Sequence, residues 1–232
     1  MEITLPRARL RRILFTAMAL VVAAGLVAEV LKSGLQVRGV RGWVPIFSLS
    51  YEQNIPTWYS SGLLLVCSML LAVIAMGARK SNAPYVRHWW LLAAGFLYIS
   101  LDETVSLHEA ASGWIRLSGV LYFSWVIPAG ILVLILGISY LRFLKHLPNK
   151  TRVQFILAGA IYVTGALVME LPLGYWTDQH GSRNFGYAAI DLVEESMEIL
   201  GVTLFLLSLL EYLQGQRWTI GFSLTAPEPP PP

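Results

Sequence analysis

The chain has 232 residues, of which 56% are hydrophobic and only 13% charged, with a formal net charge of +3. Soluble domains carry roughly a quarter charged residues, so this composition, with a mean hydropathy of +0.60, excludes an ordinary soluble domain and indicates an integral membrane protein. The single cysteine, Cys67, excludes an internal disulfide and any cysteine-based metal site.

Six apolar runs approach the ~20 residues that a helix needs to cross a bilayer. They cover 12–31, 58–78, 87–108, 121–144, 153–172 and 188–213. The expected fold is all-α, a polytopic membrane helix bundle with six transmembrane helices in one domain over 1–213. The first run follows "RARLRR". Its apolar stretch is long for a signal sequence and no small-x-small cleavage motif follows, so it reads as an uncleaved first helix.

The next segment, "GWVPIFSLSYEQNIPTWYSS", is too aromatic for a free linker. It is expected to lie on the membrane surface or to cover a pocket that Glu52 and Asn54 reach. The alternative for Asn54 is a turn-maker before "IPT". In the fifth run, "LAGAIYVTGALVME" spaces small residues along a helix, which marks close helix packing more often than chemistry. The tail 214–232 contains "APEPPPP" and reads as disordered.

Lys and Arg set the orientation. With both termini cytoplasmic, twelve fall inside: Arg7, Arg9, Arg11, Arg12, Arg79, Lys80, Arg87, Arg142, Lys145, Lys150, Arg152 and Arg217. Five fall outside: Lys32, Arg38, Arg41, Arg116 and Arg183. "RARLRR" therefore reads as a topology signal and not as a nucleic-acid patch. His88 and His146, among basic neighbours at the inner side, read as headgroup contacts.

The acids separate in the opposite sense. Only Glu2, Glu211 and Glu228 avoid the outer side or the outer part of a span. On a helix, Asp191, Glu194, Glu195 and Glu198 of "DLVEESMEILG" share one stripe about 100° wide. In "LDETVSLHE", Asp102 and Glu109 are seven apart and nearly eclipsed, with His108 at the edge of that face. Glu103 points elsewhere, toward water or toward Arg116 or Arg183. Glu170 ends the fifth run just before Pro172, and Glu29 ends the first.

A carboxylate at mid-bilayer costs roughly 2.5–3.5 kcal/mol and normally faces a bundle interior or a water-filled cavity. These acids are expected to line an outward-opening pocket walled by the third and sixth spans, with the first and fifth nearby. Like charges at this density need protons, basic partners or a cation. The expected metal ligands are Asp102, His108, Glu109, Glu170, Asp191, Glu194, Glu195 and Glu198, holding a divalent ion such as Mn, Fe, Zn or Ca. His180 in "YWTDQHGSRN" is a weaker candidate. The Glu-x-x-His motif of di-metal bundles is missing. The bland alternative is a solvated acidic helix end.

Four stretches occur together: "YEQNIPTWYSS", "LYISLDETVSLHE", "TGALVMELPLGYW" and "GYAAIDLVEESMEILG". Over roughly residues 45 to 213 they resemble a group of uncharacterised bacterial polytopic membrane proteins. The resemblance implies a six-helix protein of the bacterial inner membrane and carries no activity. The alkaline ceramidase and adiponectin-receptor-like pattern needs a His-x-x-x-His pair and a seventh helix, and the chain lacks both. There is no Gly-x-Gly-x-x-Gly, Walker or Gly-x-Ser-x-Gly motif.

Three functions fit this reading. The first is a metal-dependent enzyme acting near the outer leaflet on a lipid or small molecule. The second is a cation or proton transport protein. The third is a structural subunit of a membrane complex. The apolar inner halves "WWLLAAGFLYIS" and "GVTLFLLSLL" count against transport. The expected partners are the bilayer and such a substrate, with no nucleic acid; the oligomeric state stays open.

Overall fold

A computed structural model describes residues 6–35, 42–108 and 117–216. Every apolar run forms a helix, and no strand occurs among the described residues. Helix α1 is Arg7–Glu29, continued by a π-helical turn Val30–Gly34. A short α2, Val44–Phe47, precedes α3, Ile55–Lys80, and α4, Val86–Val105. After a 3-10 turn at Gly119–Leu121 come α5, Val126–His146, and α6, Asn149–Val163. A π-helical segment, Thr164–Met169, joins α6 to α7, Glu170–His180. The last helix, α8, is Phe185–Gly215.

Five stretches are long and apolar enough to cross a bilayer: Arg7–Ser33, Ile55–Lys80, Val126–His146, Asn149–His180 and Phe185–Gly215. The expected third span is not among them. Its helix ends at Val105 and not at His108, because Ser106 turns left-handed with φ of 61°. That leaves 20 residues with Arg87 near one end and Asp102 and Glu103 near the other. The fifth span runs past its expected end at 172. Pro172 cannot donate to the carbonyl four residues back, and the helix widens into the π-helical segment just before it.

α8 is the axis of the bundle, packing on α1, α3, α6, the π-helical segment and α7. α3 and α4 form the most extensive pair. Serines bind them: Ser68 Oγ donates to the Ala93 carbonyl at 2.7 Å, Ser61 Oγ to that of Ser100 at 2.8 Å, and Ser100 Oγ to that of Ser61 at 2.9 Å. Small polar residues hold apolar helices together in this way. Of the small residues of the fifth run, Gly165 serves packing, since a Cβ there would meet the Glu194 carbonyl of α8 at 2.9 Å, while a Cβ on Gly159 would meet nothing within 4 Å; in the sixth run, Gly201 lies close against the α6 backbone at Tyr162.

α5 is the least enclosed helix. Leu134 is 64% exposed and Ile138 61%. Its end is anchored where Phe143 meets Trp89 edge-on, with ring centroids 4.8 Å apart. His88 belongs to this aromatic group, stacked on Phe143 at 5.5 Å.

The two described ends of the chain lie together. Arg7 Nε donates to Gln214 Oε1, and Arg7 pairs with Glu211 at 3.5 Å. Lys150 at the start of α6 joins the same end. The acids of α8 lie at the other end, with α2, the start of α3 and the end of α4.

Candidate functional site

The loop after α1 is built by Asn54. Its Oδ1 caps α3 by accepting from Thr57 N–H at 3.1 Å. Its amide nitrogen donates to the carbonyls of Pro45, Ser48 and Tyr51 at 3.0, 2.7 and 2.6 Å. Asn54 is thus the turn-maker, while Glu52 reaches the acidic end. Two serines of this loop serve two acids. Ser48 Oγ donates to Glu29 and Ser50 Oγ to Asp191. Glu29 also pairs with Lys32 at 3.5 Å, so its charge is answered locally.

α8 begins at Asn184, whose Oδ1 accepts from Tyr187 N–H at 3.0 Å. Its acids therefore stand well inside the helix. Asp191 and Glu194 are buried, each 7% exposed, and Glu195 and Glu198 are half-buried. Glu194 sits beside Glu170, Glu198 and Asp191. Its Oε2 is buried with no hydrogen-bond partner among the described residues. Glu198 lies beside Tyr162 of α6, Glu103, His108 and Glu170. Glu195 lies beside Glu198, Glu103 and Asp191.

Glu170 is the first residue of α7. Trp125 Nε1–H donates to its Oε1 at 3.2 Å. The π-helical segment before it approaches α8 very closely. A Cβ on Gly165 would meet the Glu194 carbonyl at 2.9 Å and Glu198 Cγ at 3.0 Å.

At the end of α4, the left-handed Ser106 folds the chain back on Asp102. Asp102 Oδ1 accepts from His108 N–H at 3.0 Å, and Oδ2 meets His108 Nδ1 at 2.9 Å. His108 Nε2 is 3.9 Å from Glu52 Oε1, and its ring lies 4.9 Å from that of Trp125. Asp102 and His108 therefore meet through a turn and not along a shared helix face. Glu109 lies outside the described residues.

Glu103 corrects the sequence reading. It accepts from Ser60 Oγ and lies beside Glu195 and Glu198. The serine ladder turns Ser100 toward α3, and Glu103 follows three residues later on the same face. Tyr162 was also absent from the expected set. His180 is not part of the cluster: it stacks on Trp176 at 4.3 Å.

The cluster has an apolar floor. Phe96 and Phe205 stack at 4.7 Å, each seven residues, or two helical turns, from Glu103 and Glu198. Below Glu198, Ile199, Val202 and Leu209 are almost fully enclosed, as are Leu71 and Ile74 of α3.

Among the described residues, no Lys or Arg forms an ion pair with Glu194, Glu195 or Glu198. Among the same residues, no three His, Cys, Asp or Glu side chains are arranged to hold a metal ion. Of the eight expected ligands, the seven that are described thus form no ready-made coordination group among the described residues, and Glu109 lies outside them. What the structure brings together is a carboxylate cluster tied into a hydrogen-bond network.

Residues 13–213 match a protein family described as a domain of unknown function, DUF8692. No curated protein and no solved structure matches the chain.

Proposed function

We propose that this chain, which belongs to the DUF8692 family, is a bacterial inner-membrane protein whose acidic end forms an extracytoplasmic cation-binding pocket. The observation that carries the reading is Glu194. Its carboxylate is buried beside Glu170, Glu198 and Asp191, and one oxygen accepts no hydrogen bond from the described residues. An ionised group in that position is costly unless a counter-charge or proton meets it.

The Lys and Arg distribution supports the orientation, with the basic end in the cytoplasm. α4 runs antiparallel to α3 and is the sixth helix of the bundle. Its 20 residues are about 30 Å long, enough for the hydrocarbon core.

Carboxylates and an imidazole suit hard or borderline cations, so Mn, Fe, Zn and Ca are the ions to test first. Uptake of a metal requires the carboxylates to draw together around it. With an ion bound, His108, oriented by Asp102, is the group placed to move a proton. That arrangement supports an enzyme acting near the outer leaflet. The enclosed apolar residues beneath Glu198 offer no polar path across the bundle, which favours local binding over transport.

The test is elemental analysis of the detergent-purified protein, after loading with each metal in turn, beside Glu194→Gln and Asp102→Asn variants. Near-stoichiometric metal in the wild type and its loss in Glu194→Gln is the expected result. Absence of metal from folded wild-type protein after each loading would remove the cation reading.

A further inference from the structure

At the basic end of the bundle a cavity of about 590 Å³ lies between α1, α6 and α8. α1 and α6 both pack on α8 but make little contact with each other among the described residues. The groove between them has α8 as its floor, presenting Leu204, Leu207 and Glu211 at helical spacing.

Its lining changes character along its length. Toward the bundle centre it is Phe15, Leu157, Leu204 and Leu207, and at the end it is Arg7, Arg11 and Lys150. Glu211 is the acid of this lining. It is already engaged by Lys150, by Arg7 at 3.5 Å and by Gln154 Nε2–H at 2.9 Å. Three cations against one anion leave the groove positive. Arg7 and Lys150 remain 60% and 70% exposed, so a ligand can reach both beside Glu211. The apolar wall is open as well, with Leu157 54% exposed.

We propose that this groove binds one anionic phospholipid, its phosphate held by Arg7, Arg11 and Lys150 and an acyl chain laid along Leu157, Leu204 and Leu207. A charged rim followed by an apolar wall matches the two parts of such a lipid in the order in which the bilayer presents them. Basic pockets between membrane helices bind anionic headgroups through this chemistry. A soluble phosphate compound would satisfy the rim and leave the leucines uncovered. The proposal rests on the membrane placement of the bundle and is independent of the acidic cluster.

The test is native mass spectrometry of the full chain in mild detergent, titrated with phosphatidylglycerol, with phosphatidylcholine and with inorganic phosphate as competitor. One phosphatidylglycerol should bind and resist phosphate. The Arg11→Gln/Lys150→Gln variant should weaken it about 25-fold, roughly fivefold per cation removed. Arg9→Gln/Arg12→Gln makes the same charge change outside the groove and should leave binding within about twofold. Leu207→Trp should fill the wall and lower binding with every charge retained.

Equal binding of phosphatidylcholine, equal loss in the Arg9→Gln/Arg12→Gln variant, or displacement by inorganic phosphate would overturn the proposal. If the Arg11→Gln/Lys150→Gln variant does not fold, the wild-type lipid comparison and Leu207→Trp decide it.

Discussion

Gly201→Ala tests whether close backbone contact is what positions Tyr162 against Glu198. A Cβ at position 201 would lie 2.7 Å from both Cβ and N of Tyr162, and 2.9 Å from its Cα. Ordinary contact begins near 3.4 Å. The obstructing atoms are the Tyr162 backbone and its Cβ, none of which a rotamer change moves. α6 or α8 must shift as a whole. Overpacking of this kind costs about 1–3 kcal/mol, and backbone obstruction places this site at the upper end. Gly159 is the control, because a Cβ there meets nothing within 4 Å. Alanine at that position should be neutral or stabilise by up to about 1 kcal/mol through helix propensity. Unfolding of both variants in mixed detergent, followed by far-UV circular dichroism, gives the comparison. A Gly201→Ala protein as stable as Gly159→Ala would refute the packing argument, and with it the claim that the α6–α8 contact holds the tyrosine in place.

Trp125→Phe keeps the ring beside His108 but removes the N–H donated to Glu170. It should destabilise by about 1–3 kcal/mol, the range for a hydrogen bond to a buried, charged group, as read from the denaturation midpoint. Asn54→Ala removes the α3 cap and three donations to loop carbonyls. A loss of about 1–2 kcal/mol is expected, together with faster limited proteolysis within 42–54. Asp102→Asn should uncouple His108. The pair is partly exposed, so a double-mutant cycle with His108→Gln should give about 0.5–1 kcal/mol, and a coupling energy near zero would show that the contact carries no stability.

The helices were legible because apolar runs of membrane-spanning length report themselves through composition alone. Their ends were less so. "VSLHE" contains no glycine or proline, and nothing in it announces that Ser106 leaves the helix. That stop converts Asp102 and His108 from helix-face neighbours into partners across a turn. The α8 stripe was legible, since four acids on one face need a common surrounding. Glu103 was not, because its direction depends on serine pairing between α3 and α4, which is a tertiary fact. Tyr162 was hidden for a similar reason. A tyrosine in an apolar run reads as packing until the glycine opposite it, Gly201, is known to bring α8 within reach. Nothing in the sequence singled out Trp125, because its bond to Glu170 depends on where the 3-10 turn delivers it.

The π-helical segment Thr164–Met169 has a consequence for how the chain tolerates change. A wide turn holds one residue more than an α-turn, so the two halves of the stretch 149–180 are out of phase by about 100°. Tyr162 and Glu170 are both aimed at α8 only because of that offset. Deleting one residue between 164 and 169 would remove the wide turn and leave Glu170 on the same side, seven α-helical steps from Tyr162, whereas straightening the turn with every residue kept would swing Glu170 by about 100°. Irregularity at this point acts as a phase setting: the wide turn absorbs one residue, so a chain one residue shorter here would present the same two side chains to α8 from a plain α-helix.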